Sequence, residues 1–371
     1  MEFSVSKADL VRELNLSQGV VERKTTIPIL SNVLIETAGN DRINLTATDL
    51  ELGIRCSCPA KVKKAGAGTI PAKRLLDYVR LLPDADLDVK LAENQWASLT
   101  CGRSRTRIAG MSRESYPELP QMPEILAKIP VAALASMIGK TIFAISAEES
   151  RFTLNGALLI VKADALTMVA TDGHRLSMVE HAVELPGMEE QYRALLPRKA
   201  MGEILKLAAE AEPDSFIGFA GDDNHLFFQM GTRLLLSRKL TGNFPDFERV
   251  LPKDQPHSIS LQRDDFRHAI ERVSQFSDER SRAVQVESTP GEVKIHSSLS
   301  ETGESEESLP VDYEGPPVKI GFNAGYLLEF LRAVSEEEIL FNFKDAQSAG
   351  ELRPGQAAGY KYRYVVMPMR I

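Results

Sequence analysis

The feature that most constrains this chain is a repeat at the scale of a domain. Pro71-Ala72-Lys73-Arg74-Leu75-Leu76-Asp77, Pro197-Arg198-Lys199-Ala200-Met201-Gly202-Glu203 and Asn323-Ala324-Gly325-Tyr326-Leu327-Leu328-Glu329 line up at a constant step of 126 residues. Self-similarity at a fixed period means one unit built several times. The apolar positions 75, 78 and 79 recur as 201, 204 and 205 and as 327, 330 and 331, the spacing of one buried stripe on an α-helix. Pro71 and Pro197 suit the first turn of such a helix, where a missing N–H costs little.

The polar stripe repeats too. Lys73, Asp77 and Arg80 lie at i, i+4 and i+7, and Lys199, Glu203 and Lys206 reproduce them; the third copy keeps Glu329 and Arg332 but puts Gly325 first. A solvated helix face explains one such stripe, whereas recurrence in register points to a shared purpose. A second helix opens each unit. Ser6-Lys7-Ala8-Asp9 reads as a capping box before Leu10, Val11, Leu14 and Val21, with Leu134, Ile138 and Ile142 in the second copy and Phe266, Ile270 and Val273 in the third.

Between the helices the pattern alternates in the manner of strands. "SNVLIETAGNDRINLTATDLELGIRC" turns at Gly39-Asn40-Asp41 and "GALLIVKADALTMVATDGHRLSMVE" at Lys162-Ala163-Asp164. Both carry a Thr-Asp pair, at 48–49 and 171–172, while the third unit has an acidic loop, Glu301 to Ser308, where the others carry that turn. The expected fold class is α+β, three similar domains of two helices packed on antiparallel sheets. The domains are placed at 1–120, 128–250 and 256–371, joined by the Pro-rich connectors "YPELPQMPEI" and "FPDFERVLPKDQP".

At 371 residues and 43% hydrophobic content, each domain can have its own core. No apolar stretch reaches membrane-spanning length and the first residues lack the pattern of a signal peptide, so a cytoplasmic protein is expected. Cys56, Cys58 and Cys101 are too few for a disulfide framework or a zinc site; Cys56 and Cys58 fall on one face of a strand and read as buried thiols. The net charge of −8 excludes a surface that is basic all over, yet not one that segregates its charge. "TDGHR" pairs Asp172 with His174, but no nucleophile motif, metal-ligand spacing or G-x-x-x-x-G-K-[ST] loop accompanies it, so no catalytic residue, metal or cofactor is expected.

Five segments carry a resemblance: "TIPILSNV" (26–33), "RFTLNG" (151–156), "ATDGHRL" (170–176), "FPDFERVLP" (244–252) and the terminal "YVVMPMRI" (364–371). In this order, on three repeats, they resemble the beta subunit of the bacterial replicative DNA polymerase, the DNA sliding clamp family. That resemblance implies a DNA clamp fold and a ring-shaped, head-to-tail homodimer of six domains, with helices lining the hole. Lys24, Lys73, Arg80, Arg198, Lys199 and Lys206 would face double-stranded DNA, with Arg151 and Phe152 on a junction loop. Binding would be sequence-independent and topological, since phosphate contacts carry no sequence information.

The resemblance also implies a pocket for short partner peptides, built from Arg151, Leu154, Thr171, Gly173, His174, Arg175 and Leu176 on the central domain. Pro245, Arg249 and Val250 of the connector would add to it, with Val365, Val366, Met367, Pro368 and Met369 of the tail and Asn323 and Tyr326 at the edge. Flexible Met side chains can repack around different peptides. Partners would be the replicative polymerase, other DNA polymerases and repair proteins, together with an ATP-driven clamp loader, and no membrane. The dimer contact would use Phe276, with Glu301 and Glu304 facing Arg74, Arg103 or Arg105. The rival reading is a repeat-built peptide-binding scaffold that never encircles nucleic acid.

Overall fold

The computed structural model describes residues 1–21, 26–299, 303–356 and 359–370. Among these are six α-helices: α1 (Lys7–Val20), α2 (Ala72–Leu81), α3 (Val131–Thr141), α4 (Arg198–Ala209), α5 (Arg263–Val273) and α6 (Ala324–Ala333). The helices α2, α4 and α6 begin at 72, 198 and 324, the expected 126-residue step. Three modules of paired helices and antiparallel strands fold into two compact units, Met1–Ala132 with Lys199–Lys239, and Ala133–Arg198 with Leu240–Ile371. The central module divides between them, giving one sheet to each.

In the first unit, a five-stranded sheet carries Ser104–Ala109 at one edge. An eight-stranded sheet runs in the order Ala127–Pro130, Phe216–Gly221, His225–Met230, Arg233–Arg238, Leu52–Pro59, Arg42–Thr48, Asn32–Ala38 and Ala67–Pro71. The central and first modules join where Arg233–Arg238 pairs antiparallel with Leu52–Pro59, Leu236 opposite Gly53. In the second unit the order is Tyr192–Pro197, Gly156–Val161, Ala165–Thr171, Arg175–Ala182, Tyr360–Val366, Gly350–Pro354, Glu338–Phe343 and His257–Gln262. Here the central and third modules join, with Leu176 opposite Val365. The terminal apolar run therefore begins inside an interior strand, which ends at Val366: Tyr364 is buried, stacks on Phe330 at 5.2 Å and donates from its hydroxyl to the Tyr326 carbonyl at 2.9 Å.

The three recurring helices bury Leu75, Met201 and Leu327 as the repeat requires. Tyr78 and Leu205 are only half-buried, because each stripe is centred nearer Leu76 and Val79, or Ile204 and Leu207. The opening helices bury Leu10 and Leu14, Leu134 and Ile138, and Phe266, Ile270 and Val273 as expected, while Val11 is half-buried. Val21 and Ile142 lie just past their helices, Val21 buried as the C-cap of α1 and Ile142 half-buried in the short 3₁₀ turn after α3.

Local corrections follow from end chemistry. Ser6 is the N-cap of α1 but its hydroxyl makes no capping bond, and Asp9, one methylene shorter than the Glu of a capping box, lacks that residue's reach back to the N-cap N–H. Pro71 and Pro197 end strands immediately before their helices instead of opening them. Asn323 does cap α6, accepting from the Tyr326 N–H at 3.3 Å. The acidic segment is no loop over its described part: Gly303–Pro310 is an edge strand paired with Glu292–Leu299. Its carboxylates suit an edge, where charge discourages indiscriminate pairing. Phe276 ends a short 3₁₀ turn after α5, outside the helix proper. Cys56, Cys58 and Cys101 are buried free thiols, and burial pushes the Cys58 thiol up to about 12.

Candidate binding site

The site begins at the Thr171-Asp172 turn. Asp172 Oδ1 accepts the N–H groups of His174 and Arg175 at 2.9 and 3.1 Å, and Thr171 Oγ1 accepts from the Gly173 N–H at 3.1 Å. This fixes Gly173 at φ 89°, a backbone that favours glycine. A Cβ there would stand 3.1 Å from an Arg151 guanidinium nitrogen, so the turn forms a bare floor beneath Arg151.

Around that floor a cavity of about 120 Å³ is lined by Leu154, Thr171, Gly173, Arg175, Leu176, Pro245, Phe247, Val250, Val365 and Met367. Strand alternation explains the tail's part: Val365 and Met367 face the cavity, while Tyr364 and Val366 fall on the opposite, buried face. Val366 is therefore corrected from the lining to the core. Met367 is held by its N–H donating to the His174 carbonyl at 2.9 Å, and Met369 by its N–H donating to the Gly321 carbonyl at 2.8 Å. His174, Pro368 and Met369 do not line the cavity, and His174 is exposed.

Arg175 organises the site. Its buried guanidinium donates to Asp172 Oδ2 at 3.1 Å, to the Phe143 carbonyl at 2.6 Å and to Glu329, and lies over the Tyr326 ring at 4.3 Å. A buried charge with this many acceptors is compensated, which lets its stem serve as wall. Arg175 also reaches a second cavity, of about 890 Å³, whose lining includes Asn323 and Tyr326. Arg151 is a rim group that donates to the Asp172 carbonyl at 2.8 Å and pairs with Glu148 at 2.8 Å. Arg249 stands 86% exposed and paired with Asp246 at 2.7 Å, so it does not enter the wall. Phe247, buried against Leu176 and Val365, was missed; a second aromatic in the connector was the available signal.

The expected DNA-facing residues divide by environment. Lys73 pairs with Asp77 at 2.5 Å, Arg80 donates to Asn15 and Lys199 to Asp49, while Arg198 is exposed and Phe152 is 70% exposed. Glu203 departs from its stripe: it is buried, takes Lys206 at 2.7 Å, and a Cβ on Gly19 of α1 would lie 2.2 Å from its Oε2. Arg74 and Arg103 are exposed, Arg105 belongs to the edge strand Ser104–Ala109, and Glu304 to the edge strand Gly303–Pro310. Phe276 lies beside Gly303, 3.6 Å from where its Cβ would be. Lys24 and Glu301 lie outside the described residues. Among the described residues no three His, Cys, Asp or Glu side chains gather as metal ligands, and no helix is long and apolar enough to cross a membrane.

Comparison with known proteins agrees along the whole chain. Residues 1–120, 128–246 and 248–370 match the N-terminal, central and C-terminal domains of the DNA polymerase III beta subunit. A beta sliding clamp of Pseudomonas putida is 33% identical, with both chains covered in full. The crystal structure of the DNA polymerase III subunit beta from Pseudomonas aeruginosa superposes with a TM-score of 0.94 at 33% identity, covering 100% of each chain. A second structure of that organism's sliding clamp, bound to griselimycin, gives the same TM-score of 0.94, identity of 33% and full coverage. Three matched domains in order, relatives alike over their full length and the same fold together mean that the chain belongs to the DNA polymerase III beta subunit family, the beta sliding clamps.

Proposed function

We propose that two copies of the chain close head to tail into a ring around duplex DNA, and that the cup at the Thr171-Asp172 turn receives short peptides of proteins that work on that DNA. The observation that carries this reading is the cup itself, where the apolar walls of Leu154, Leu176, Pro245, Val250, Val365 and Met367 surround the bare Gly173 turn beneath Arg151. Such a cup takes apolar side chains of an extended peptide, and rim donors orient its polar groups. The replicative polymerase, other DNA polymerases and repair proteins are the partners this implies. An ATP-driven loader opens the ring, because the sequence has no phosphate-binding loop of its own, and the chain acts in the cytoplasm as a tether without catalysis.

The ring reading is supported by the two sheet edges. Ser104–Ala109 carries Arg105 and Arg107, and Gly303–Pro310 carries Glu304, Glu306 and Glu307. Unpaired backbone groups and opposite charge make each edge a partner for the other on a second copy, a heterologous contact that closes after two. Phe276→Asp, beside that acidic edge, is expected to give monomers in sedimentation. Loaded onto nicked circular DNA, the protein should stay at high salt and escape when the circle is cut. Equal loss from circle and linear DNA would leave only a peptide-binding scaffold.

A further inference from the structure

The repeat leaves one charge unaccounted for. Lys73 and Lys199 occupy the second position of α2 and α4, and Gly325 stands there in α6. A cation at a helix N-terminus opposes the helix dipole, so keeping it in two copies argues for a use outside the fold. The third copy has the same charge from another element. A Cβ on Gly325 would lie 3.7 Å from an Arg282 guanidinium nitrogen, which places that side chain over the first turn of α6.

Arg282 is held there deliberately. Its backbone takes φ 48°, the left-handed region that arginine rarely adopts. Its N–H donates to the Asp278 carbonyl at 2.8 Å and its own carbonyl accepts from the Ala324 N–H at 2.8 Å, tying the turn after α5 to the start of α6. The Asp278 carboxylate accepts the N–H groups of Arg280 and Ser281 at 3.1 and 2.9 Å, which stiffens the same turn. The Arg282 side chain is exposed and, among the described residues, makes no ion pair, whereas Lys73 and Lys199 each have a carboxylate. It borders the cavity of about 890 Å³ to which Arg280 and Arg332 also contribute.

We propose that Arg282 is the third module's phosphate-contacting cation, supplied from the turn after α5 in place of a lysine at 325. The proposal rests on the reading that this chain surrounds DNA. Gly325 then has a physical role: its missing side chain leaves the space that the guanidinium covers. Arginine adds a planar donor fork for phosphate oxygens that a lysine on the helix would not give.

The test measures anisotropy of a labelled 30-base-pair duplex against salt for the intact protein, Arg282→Asn, Arg282→Lys, Lys73→Gln and Lys199→Gln. Asparagine removes the charge yet tolerates the left-handed backbone. Arg282→Asn is expected to weaken duplex binding about three- to tenfold and to lower the slope of log K against log salt by about 0.9 for each phosphate no longer neutralised. Arg282→Lys should keep most of both, and binding of a fluorescent Gln-containing apolar peptide and the melting temperature should not move. Unchanged affinity and slope in Arg282→Asn, with Lys73→Gln and Lys199→Gln both weakened, overturns the assignment while leaving the DNA reading intact. Loss of peptide binding or of melting temperature in Arg282→Asn overturns it as well, by making the role structural. Absence of salt-dependent duplex binding in the intact protein sinks the DNA reading itself.

Discussion

The two eight-stranded sheets are built alike and finished differently. In each, a strand of the central module pairs with a neighbouring module, and the pairs Gly53–Leu236 and Leu176–Val365 occupy corresponding places. In the first unit Leu119 of the connector sits on that pair, so close that a Cβ on Gly53 would meet it at 3.0 Å, and Met122 packs beside it on Phe227. In the second unit the corresponding connector residue, Phe247, packs into the core and a cavity of about 120 Å³ stays beside it. The turns differ in the same sense. Leu50 and Gly173 both have left-handed backbones, φ 78° and 89°, but the leucine adds a half-exposed side chain where the glycine adds nothing. One topology gives a covered face or an open cup according to which residues stand at two or three places.

Charge is also arranged differently. The first unit has Leu52 where the second has Arg175, and its ionic tie lies elsewhere: Arg233 holds Glu13 of α1 at 2.7 Å and Glu210 at 2.8 Å. Burial works against the Glu13 charge, but hydrogen bonds from Arg233 and Arg12 outweigh it and keep the carboxyl below its usual range. Glu13→Ala leaves Arg233 short of a partner in a buried place and is expected to cost about 3 kcal/mol in denaturant unfolding. Because the folded carboxyl is the more acidic, its stabilisation is full above the unfolded value of about 4.3 and is lost as pH falls through the folded one. A variant as stable as the parent, or an acid limb unchanged by the substitution, would break the contrast between the two ties.

Gly173→Leu copies the first turn into the second. It should cost about 1–2 kcal/mol in backbone strain and fill the floor of the cup, weakening a bound peptide at least about tenfold. Retained peptide affinity would show that the floor is not where the ligand sits. The reverse change has the smallest effect. Leu50→Gly is expected to raise stability by about 0.5 kcal/mol by relieving strain, less the entropy glycine adds to the unfolded chain. A lowered melting temperature would mean that Leu50 contributes packing that outweighs its backbone cost.

The helices were legible because two signals coincide in them, a 3.6-residue apolar period and a 126-residue step. The tail was legible as a strand, and alternation could have told Val365 from Val366. Other features depend on groups that no local pattern brings together. Glu203 reads as a solvated carboxylate until Gly19, far away in the chain, leaves the space that buries it. The segment Gly303–Pro310 lacks the β-branched residues that mark strands, and pairing with Glu292–Leu299 decides its conformation. Arg282 sits in a turn of ordinary polar composition, and only the geometry around Gly325 gives it meaning.

The sheets that cross module boundaries have a practical corollary. Excising the central module would strip Leu52–Pro59 from Arg233–Arg238 and Tyr360–Val366 from Arg175–Ala182, leaving two raw seams of unsatisfied amides and carbonyls. Such a fragment would be prone to stick to itself, so dissection of this chain is better done by point substitution than with scissors.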